Sequence, residues 1–385
     1  MTRVLVTGAA GFVGSAITTA LRRAGHDVVG VDALIASAHP PDAQVPTGVH
    51  RVDVADQSRM REILRGVDVV CHQAAMVGAG VNAADSPHFA RENDWATACL
   101  LATMAEVGCR DLVLASSMVV YGHGSYRTTD GRAVAQVPER RHDDLVAGRF
   151  DHTDADGHTL RWTLTTEDAP FAPSTSYAAS KCAQEHFARA WAQQNDGSVL
   201  ALRYHNVYGP LMPRDTPYAG VASIFRSRLA AGLAPVVFED GNQMRDFVHV
   251  DDVAQANRHA VENLVARETR GFAALNICSG WPVSIGEVAR ILSAALDGPE
   301  PVVTGDHRRG DVRHVVADPT AAADHIGFRA AIDPHDGIRR FASDPLRAST
   351  SGQPAAPTSG SVTSKRLPES VLDATIDPAW ASTSP

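Results

Sequence analysis

The chain has 385 residues, 44% hydrophobic and 21% charged, with a net charge of -9 at pH 7. That supplies core for one large domain or two smaller ones, and the acidic balance argues against a general nucleic-acid or membrane-surface binder. No apolar run reaches the ~18 residues that span a bilayer, and MTRVLVTG enters a strand directly, without a signal-peptide layout. The five cysteines (Cys71, Cys99, Cys109, Cys182, Cys278) are scattered and odd in number. They show neither metal spacing nor a disulfide framework, which fits a reducing cytoplasm.

In chain order, short β-branched runs alternate with helical stretches. Residues 3–7, 28–32, 49–54, 67–72, 112–116 and 199–204 read as strands, and 14–24, 58–64 and 95–107 as amphipathic helices. This alternation predicts an α/β, Rossmann-type doubly wound parallel sheet. The strands are nearly all apolar, as burial on both faces requires. A long polar insertion, 122–173, interrupts the pattern. Beyond it, 219–231, 250–265 and 284–296 read as helices and 236–238 and 274–278 as strands. Ser284 caps the third of these helices, with Glu287 three residues on. These elements read as a smaller α/β lobe closing over the carboxyl edge of the sheet.

The stretch VLVTGAAGFVGSAI carries Gly8, Gly11 and Gly14 between a strand and a helix. Glycines let the backbone turn tightly and approach a pyrophosphate, and the helix N-terminus offers unpaired N–H groups. Phe12 and Val13 lie within the same loop. Asp32 ends the second strand, where a carboxylate accepts both ribose hydroxyls of NAD and repels the 2′-phosphate of NADP. Ala33 and Leu34 follow it, with no Arg for such a phosphate. The expected cofactor is therefore NAD. Asp53, with Val54 beside it, is placed either to accept an adenine amino group or to cap a helix. Ala74 and Ala75 in CHQAA are small enough for a flat cofactor to lie close. Asn93 in RENDW is a further cofactor candidate whose alternative role is to pin a neighbouring loop. The first domain is thus 1–205, NAD-binding; 206–342 is the substrate lobe, with a segment near 245–265 returning to the first. The Ser-, Thr- and Pro-rich stretch 343–385 is expected to be a disordered tail.

TSYAASK places Tyr177 four residues before Lys181, on one helix face. By itself that is an ordinary surface pattern. Together, however, TGAAGFVG, Asp32, HQAA, SSMVVYG, YAASK, RYHNVYGP and RDFVHVDDV resemble the extended short-chain dehydrogenase/reductase family over about residues 1 to 340. The pattern is similar to UDP-galactose 4-epimerase-like enzymes and, in RYHNVYGPLMPRDTPYAGVASIF and GNQMRDFVHVDDV, to dTDP-L-rhamnose 4-epimerases. The resemblance implies that Tyr177 is the general base and acid, that Lys181 favours the phenolate and holds the nicotinamide ribose, and that Ser117 hydrogen-bonds the reacting sugar oxygen. Ser116 should point the other way in its strand. The resemblance also implies substrate contacts from Asn206, Arg245 and Arg308 (or its neighbour Arg309), with a nucleotide sugar as partner and a homodimer as assembly. His249 is read as structural.

Two departures narrow the chemistry. The related 4,6-dehydratases follow the Ser/Thr with an Asp-Glu pair, whereas Met118 and Val119 stand here and transfer no proton. Inversion at C4 through a 4-keto intermediate fits better than loss of water; a 4-ketoreductase is the alternative. The insertion separates Ser117 from Tyr177 and is expected to loop out near the active-site mouth. Its His123, His142, His152 and His158 read as solvated loop residues rather than metal ligands.

Overall fold

The structure is a computed structural model describing residues 1–347 other than 37, 41, 79, 81, 215–219 and 309. The tail expected from residue 343 differs at its start, where residues 343–347 are ordered against the lobe; the rest of it lies outside the described residues, as do Ala219 at the start of one expected helix and Arg309. Five strands come first: β1 (Arg3–Thr7), β2 (Asp27–Asp32), β3 (Val49–Arg51), β4 (Val69–His72) and β5 (Asp111–Ser117). The insertion contributes β6 (Ser125–Arg127) and β7 (Arg161–Thr163). Then follow β8 (Ser198–Tyr204), β9 (Asn206–Tyr208), β10 (Val236–Val237), β11 (Met244–His249), β12 (Gly271–Ile277), β13 (Pro282–Ser284) and β14 (Val302–Val303).

Seven strands form the central sheet in the order β12-β8-β5-β4-β1-β2-β3, every pair parallel. The apolar strands explain its burial. Val4 and Val6 face one layer while Leu5 faces the other, and Val113 and Ala115 alternate in the same way with Leu112 and Leu114. One face is covered by helices Phe12–Arg23 and Val250–Val265, which pack on each other. Helices Gln57–Ile63, Ala96–Val107 and Ser176–Asn195 cover the opposite face.

One strand differs from its expected place. β12, read from sequence as part of the smaller lobe, is an edge strand of the main sheet, in register with β8 from Gly271↔Ser198 to Ile277↔Tyr204. An apolar run states that a strand is buried but does not state in which sheet. The lobe keeps β9, β11 and β13 as a three-stranded sheet over its own cluster, which includes Tyr208, Phe225, Phe247, Leu292 and Phe341. Its helix Ile285–Ala295 begins at Ser284, whose hydroxyl accepts the Glu287 N–H.

The insertion leaves and returns at one point. Gly122 has φ +59, and a Cβ there would lie 2.1 Å from the Ala172 carbonyl oxygen, while the Ala172 N–H donates to Val120. Between those ends, β6 and β7 form an antiparallel hairpin, and the segment is bonded to the lobe rather than looped out. Arg140 donates to Glu239 at 2.6 Å and to the Asp311 carbonyl; Arg313 donates to Asp151, Glu239 and Asp240. The guanidinium groups and the Glu239 carboxylate are almost fully buried. His152 is likewise buried, with its ring edge against His123 and Tyr126, which corrects the expectation of a solvated loop residue. His158 does stand exposed, near Asp154 and Asp156 on a turn where Asp154 accepts two backbone N–H groups.

Candidate active site

Ser117 ends β5 at the carboxyl edge of the sheet, paired across to Tyr204. Ser116 beside it also borders the cavity, but its hydroxyl donates to Glu185. Thr175 caps helix Ser176–Asn195 by accepting the Ala178 N–H at 3.1 Å. On that helix Tyr177, Lys181 and Glu185 recur every four residues along one face. The Tyr177 ring rests against Phe89, with centroids 5.7 Å apart. Lys181 donates from Nζ to the Ala115 carbonyl at 2.9 Å and stands 6.0 Å from the Tyr177 ring centre. Ser117, Tyr177 and Lys181 line one cavity of about 480 Å³.

Burial acts in opposite directions on the two titratable groups. It pushes the Tyr177 phenol up to about 12, and the hydrogen bond with Ser117 only partly offsets this. It pulls Lys181 down to about 8 against the favourable charges of Glu185 and Asp94. Burial thus favours the neutral form of both side chains. Beneath the pair lies a charged group the sequence reading missed. Glu185 accepts two hydrogen bonds from Arg203, at 2.9 and 2.8 Å, and Arg203 also donates to the Tyr121 hydroxyl at 2.8 Å. All of this is buried.

The glycine loop fits a dinucleotide. Gly8 has φ +65, and a Cβ there would sit 2.8 Å from the Ala74 nitrogen; a Cβ on Gly14 would sit 2.1 Å from the Gly8 carbonyl oxygen. Only glycines permit this approach. Helix Phe12–Arg23 opens without a side-chain cap, which leaves first-turn N–H groups available beside a cavity lined by Gly8, Gly11, Phe12, Val13 and Gly14. Thr7 shapes the facing turn: its hydroxyl accepts the N–H groups of Gln73 and Ala74 and bonds His72 at 2.7 Å. Ala75 lines the cavity. Asp32 lies behind its wall, accepting the Ala10 and Leu34 N–H groups at 3.0 and 2.8 Å with His39 at 3.4 Å. Burial raises its pKa, but these bonds outweigh it and the net direction is down.

Besides Asp32 and Ala74, five expected ligands do not line this cavity. Asp53 holds the Ala55 N–H and Arg91, and Val54 is packed in the core. Asn93 is buried and ties the Met76 backbone to Ser180, its alternative role. Arg245 donates to the carbonyls of Met244, Val312 and Arg313. Arg308 is exposed and stacks over Phe238 at 4.6 Å. Asp53, Asn93 and Arg245 each give their polar groups to partners within the protein that a motif does not reveal.

Asn206 does line the cavity, and so does its neighbour His205, which sequence reasoning passed over. The amide oxygen of Asn206 and both ring nitrogens of His205 are buried without a hydrogen-bond partner among the described residues. Burial pulls His205 down to about 3, and nearby Asn276, which falls outside good hydrogen-bond geometry, acts the other way, so the ring is neutral. Three orphaned polar atoms side by side need a ligand or water to satisfy them. The signal in the sequence was only a histidine beside Asn206 at the end of a strand, RYHNVYG.

The profile of the NAD dependent epimerase/dehydratase family matches residues 4–141 and 154–278. The dTDP-L-rhamnose 4-epimerase of Burkholderia thailandensis is 33% identical over 338 residues, 85% of this chain and 90% of that protein. A putative UDP-glucose 4-epimerase of Methanocaldococcus jannaschii is 28% identical over 342 residues, 88% of this chain and 96% of that one. Among solved structures, Thermus thermophilus UDP-glucose 4-epimerase in complex with NAD has a TM-score of 0.66 at 28% identity, covering 89% of this chain and 98% of that chain. The UDP-N-acetylglucosamine 4-epimerase of Methanobrevibacter ruminantium has a TM-score of 0.70 at 26% identity, with coverage of 89% and 97%. Likeness of that extent, on both sides of the insertion and at the level of sequence as well as fold, makes the chain a member of the NAD dependent epimerase/dehydratase family.

Proposed function

We propose that the protein is a nucleotide-sugar 4-epimerase that inverts C4 of an NDP-hexose or 6-deoxyhexose. The observation that carries this is the cavity lining: Tyr177 faces Ser117 there, and no carboxylate joins them among the described lining residues. Loss of water needs a second acid or base, whereas inversion at one carbon needs one. Bound NAD would supply the hydride acceptor and donor for C4. Every other task falls to the chain. Ser117 hydrogen-bonds the sugar O4. Tyr177 takes the proton of that hydroxyl and gives it back. Lys181, held by Ala115 and backed by Glu185, orients the cofactor ribose beside the phenol. The first domain, 1–205, supplies the glycine cradle, and the lobe, 206–342, supplies Asn206 and Phe247; His205 stands where the two meet.

The relative from Burkholderia makes a dTDP-6-deoxyhexose the first substrate to try. The purified protein, given dTDP-, UDP- and GDP-sugars with no added cofactor, should form C4 epimers visible by NMR. Steady consumption of NADH or NADPH would point to a ketoreductase, and a 4-keto-6-deoxy product to a dehydratase. Tyr177→Phe should lower turnover by about 10³-fold or more while leaving the thermal transition in place; full activity would remove Tyr177 from the proton step.

We also infer a homodimer through helices Ala96–Val107 and Ser176–Asn195. Its support is the exposure of Trp95, at 58%, just before the first helix and of Phe187, at 46%, on the second. Light scattering of Phe187→Glu should show a monomer. A cytoplasmic location is supported by five free, buried cysteines.

A further inference from the structure

We propose that Arg347, carried on the C-terminal segment, binds the diphosphate of the dinucleotide from across the groove that the glycine loop opens. The proposal rests on the dinucleotide reading above. Two cations line the cavity among the described residues, Lys181 and Arg347. Lys181 is bonded to the Ala115 carbonyl beside Tyr177. The glycine loop offers N–H groups but no charge, while a pyrophosphate carries negative charge on both phosphates. Arg347 is the remaining group that matches it.

The backbone explains how a residue so far along the chain arrives there. After helix Pro334–Phe341 the segment runs alongside the lobe. The Leu211 N–H donates to the Pro345 carbonyl at 2.7 Å, the Arg347 N–H donates to the Met212 carbonyl at 3.1 Å, and Leu346 packs on the lobe cluster. The main chain of Arg347 is thereby fixed to the lobe, and its side chain joins a cavity wall that also includes Gly11, Phe12, Ile35 and Ala38. The guanidinium has no hydrogen-bond or ion-pair partner among the described residues. Burial weakens its hold on the proton, and the charge that opposes this is Asp32. Ile35 and Ala38, which share this wall, follow Asp32 in the chain, so Arg347 lies toward the adenosine side of the site. A planar fork there donates two hydrogen bonds at once to a phosphate. The Asp32 carboxylate, kept ionised by His39 and by its backbone bonds, disfavours a 2′-phosphate in the same place, so the diphosphate is the expected partner.

Calorimetric titration of the full-length, ligand-free chain tests this. In Arg347→Ala the affinities for NAD and ADP-ribose should each fall about tenfold to a hundredfold. Affinities for adenosine and for dTDP should stay the same, and Arg347→Lys should recover part of the loss. The thermal transition of the ligand-free variant should match the wild type, because the segment's pairing uses main-chain atoms. Unchanged NAD and ADP-ribose binding would overturn the proposal. So would a loss confined to NADP, which would assign Arg347 to a 2′-phosphate, or one confined to dTDP, which would assign it to the sugar nucleotide. A wild-type chain that bound no dinucleotide would overturn the underlying reading as well.

Discussion

Lys181 and His205 show how burial sets chemistry one side chain at a time. Folded Lys181 titrates near 8 and a free lysine near 10.5. Between those values the unfolded chain holds the extra proton, so stability rises with pH. The contribution is complete above 10.5 and is lost as pH falls through 8. Above pH 10 Tyr177 works the other way, because its folded phenol keeps a proton that an unfolded tyrosine releases. Urea unfolding from pH 8 to 10 should therefore show the wild type gaining on the order of 2 kcal/mol more than Lys181→Met; equal slopes would mean that Lys181 is not desolvated. His205 makes the opposite trade. Its orphaned nitrogens cost stability in the empty site. His205→Phe should raise the stability of the ligand-free protein by about 1 kcal/mol and raise KM about tenfold with kcat less affected. A variant both less stable and normal in KM would place the ring's partner within the protein.

At the scale of elements, the insertion offers the clearest case. Its polar composition read as a loop, yet it is anchored by buried ions. Glu239 stands between Arg140 and Arg313, and Asp151 and Asp240 complete the set. Removing one member of a buried network leaves charge without a partner. Glu239→Leu should thus destabilise the protein by about 3–5 kcal/mol, read as a lower urea midpoint, and should free the insertion to proteolysis. A midpoint within error of wild type would show the network to be dispensable. The glycine loop was legible because its requirement is local: Gly8 and Gly14 meet backbone atoms within 2.8 Å, and no other residue fits. The arginines were not legible in the same way. Arg245 carries a family motif, but the carbonyls of Val312 and Arg313 take its guanidinium, and these come from a loop distant in sequence.

At the scale of the molecule, the two halves of the chain share one core. Helix Val250–Val265 covers a face of the central sheet, β12 closes its edge, and Ile326 and Phe328 join the same cluster. A fragment ending at residue 205 would leave that face in water. It should show helical circular dichroism without a cooperative transition and bind a hydrophobic dye; a sharp two-state melt would mean that the first domain is self-sufficient.

The sequence alone determined what depends on near neighbours or on residue chemistry: the parallel α/β sheet from its apolar strands, the glycine cradle, the helix that sets Tyr177 above Lys181, and the missing acid after Ser117. Tertiary structure decided what depends on segments far apart in the chain. It moved β12 into the main sheet, joined the insertion to the lobe, placed Glu185 and Arg203 beneath the reactive pair, and brought Arg347 to the rim of the groove. Backbone geometry and alternation act over a few residues and leave a pattern in the chain. The partners of a buried charge are chosen by packing, and packing leaves no such pattern.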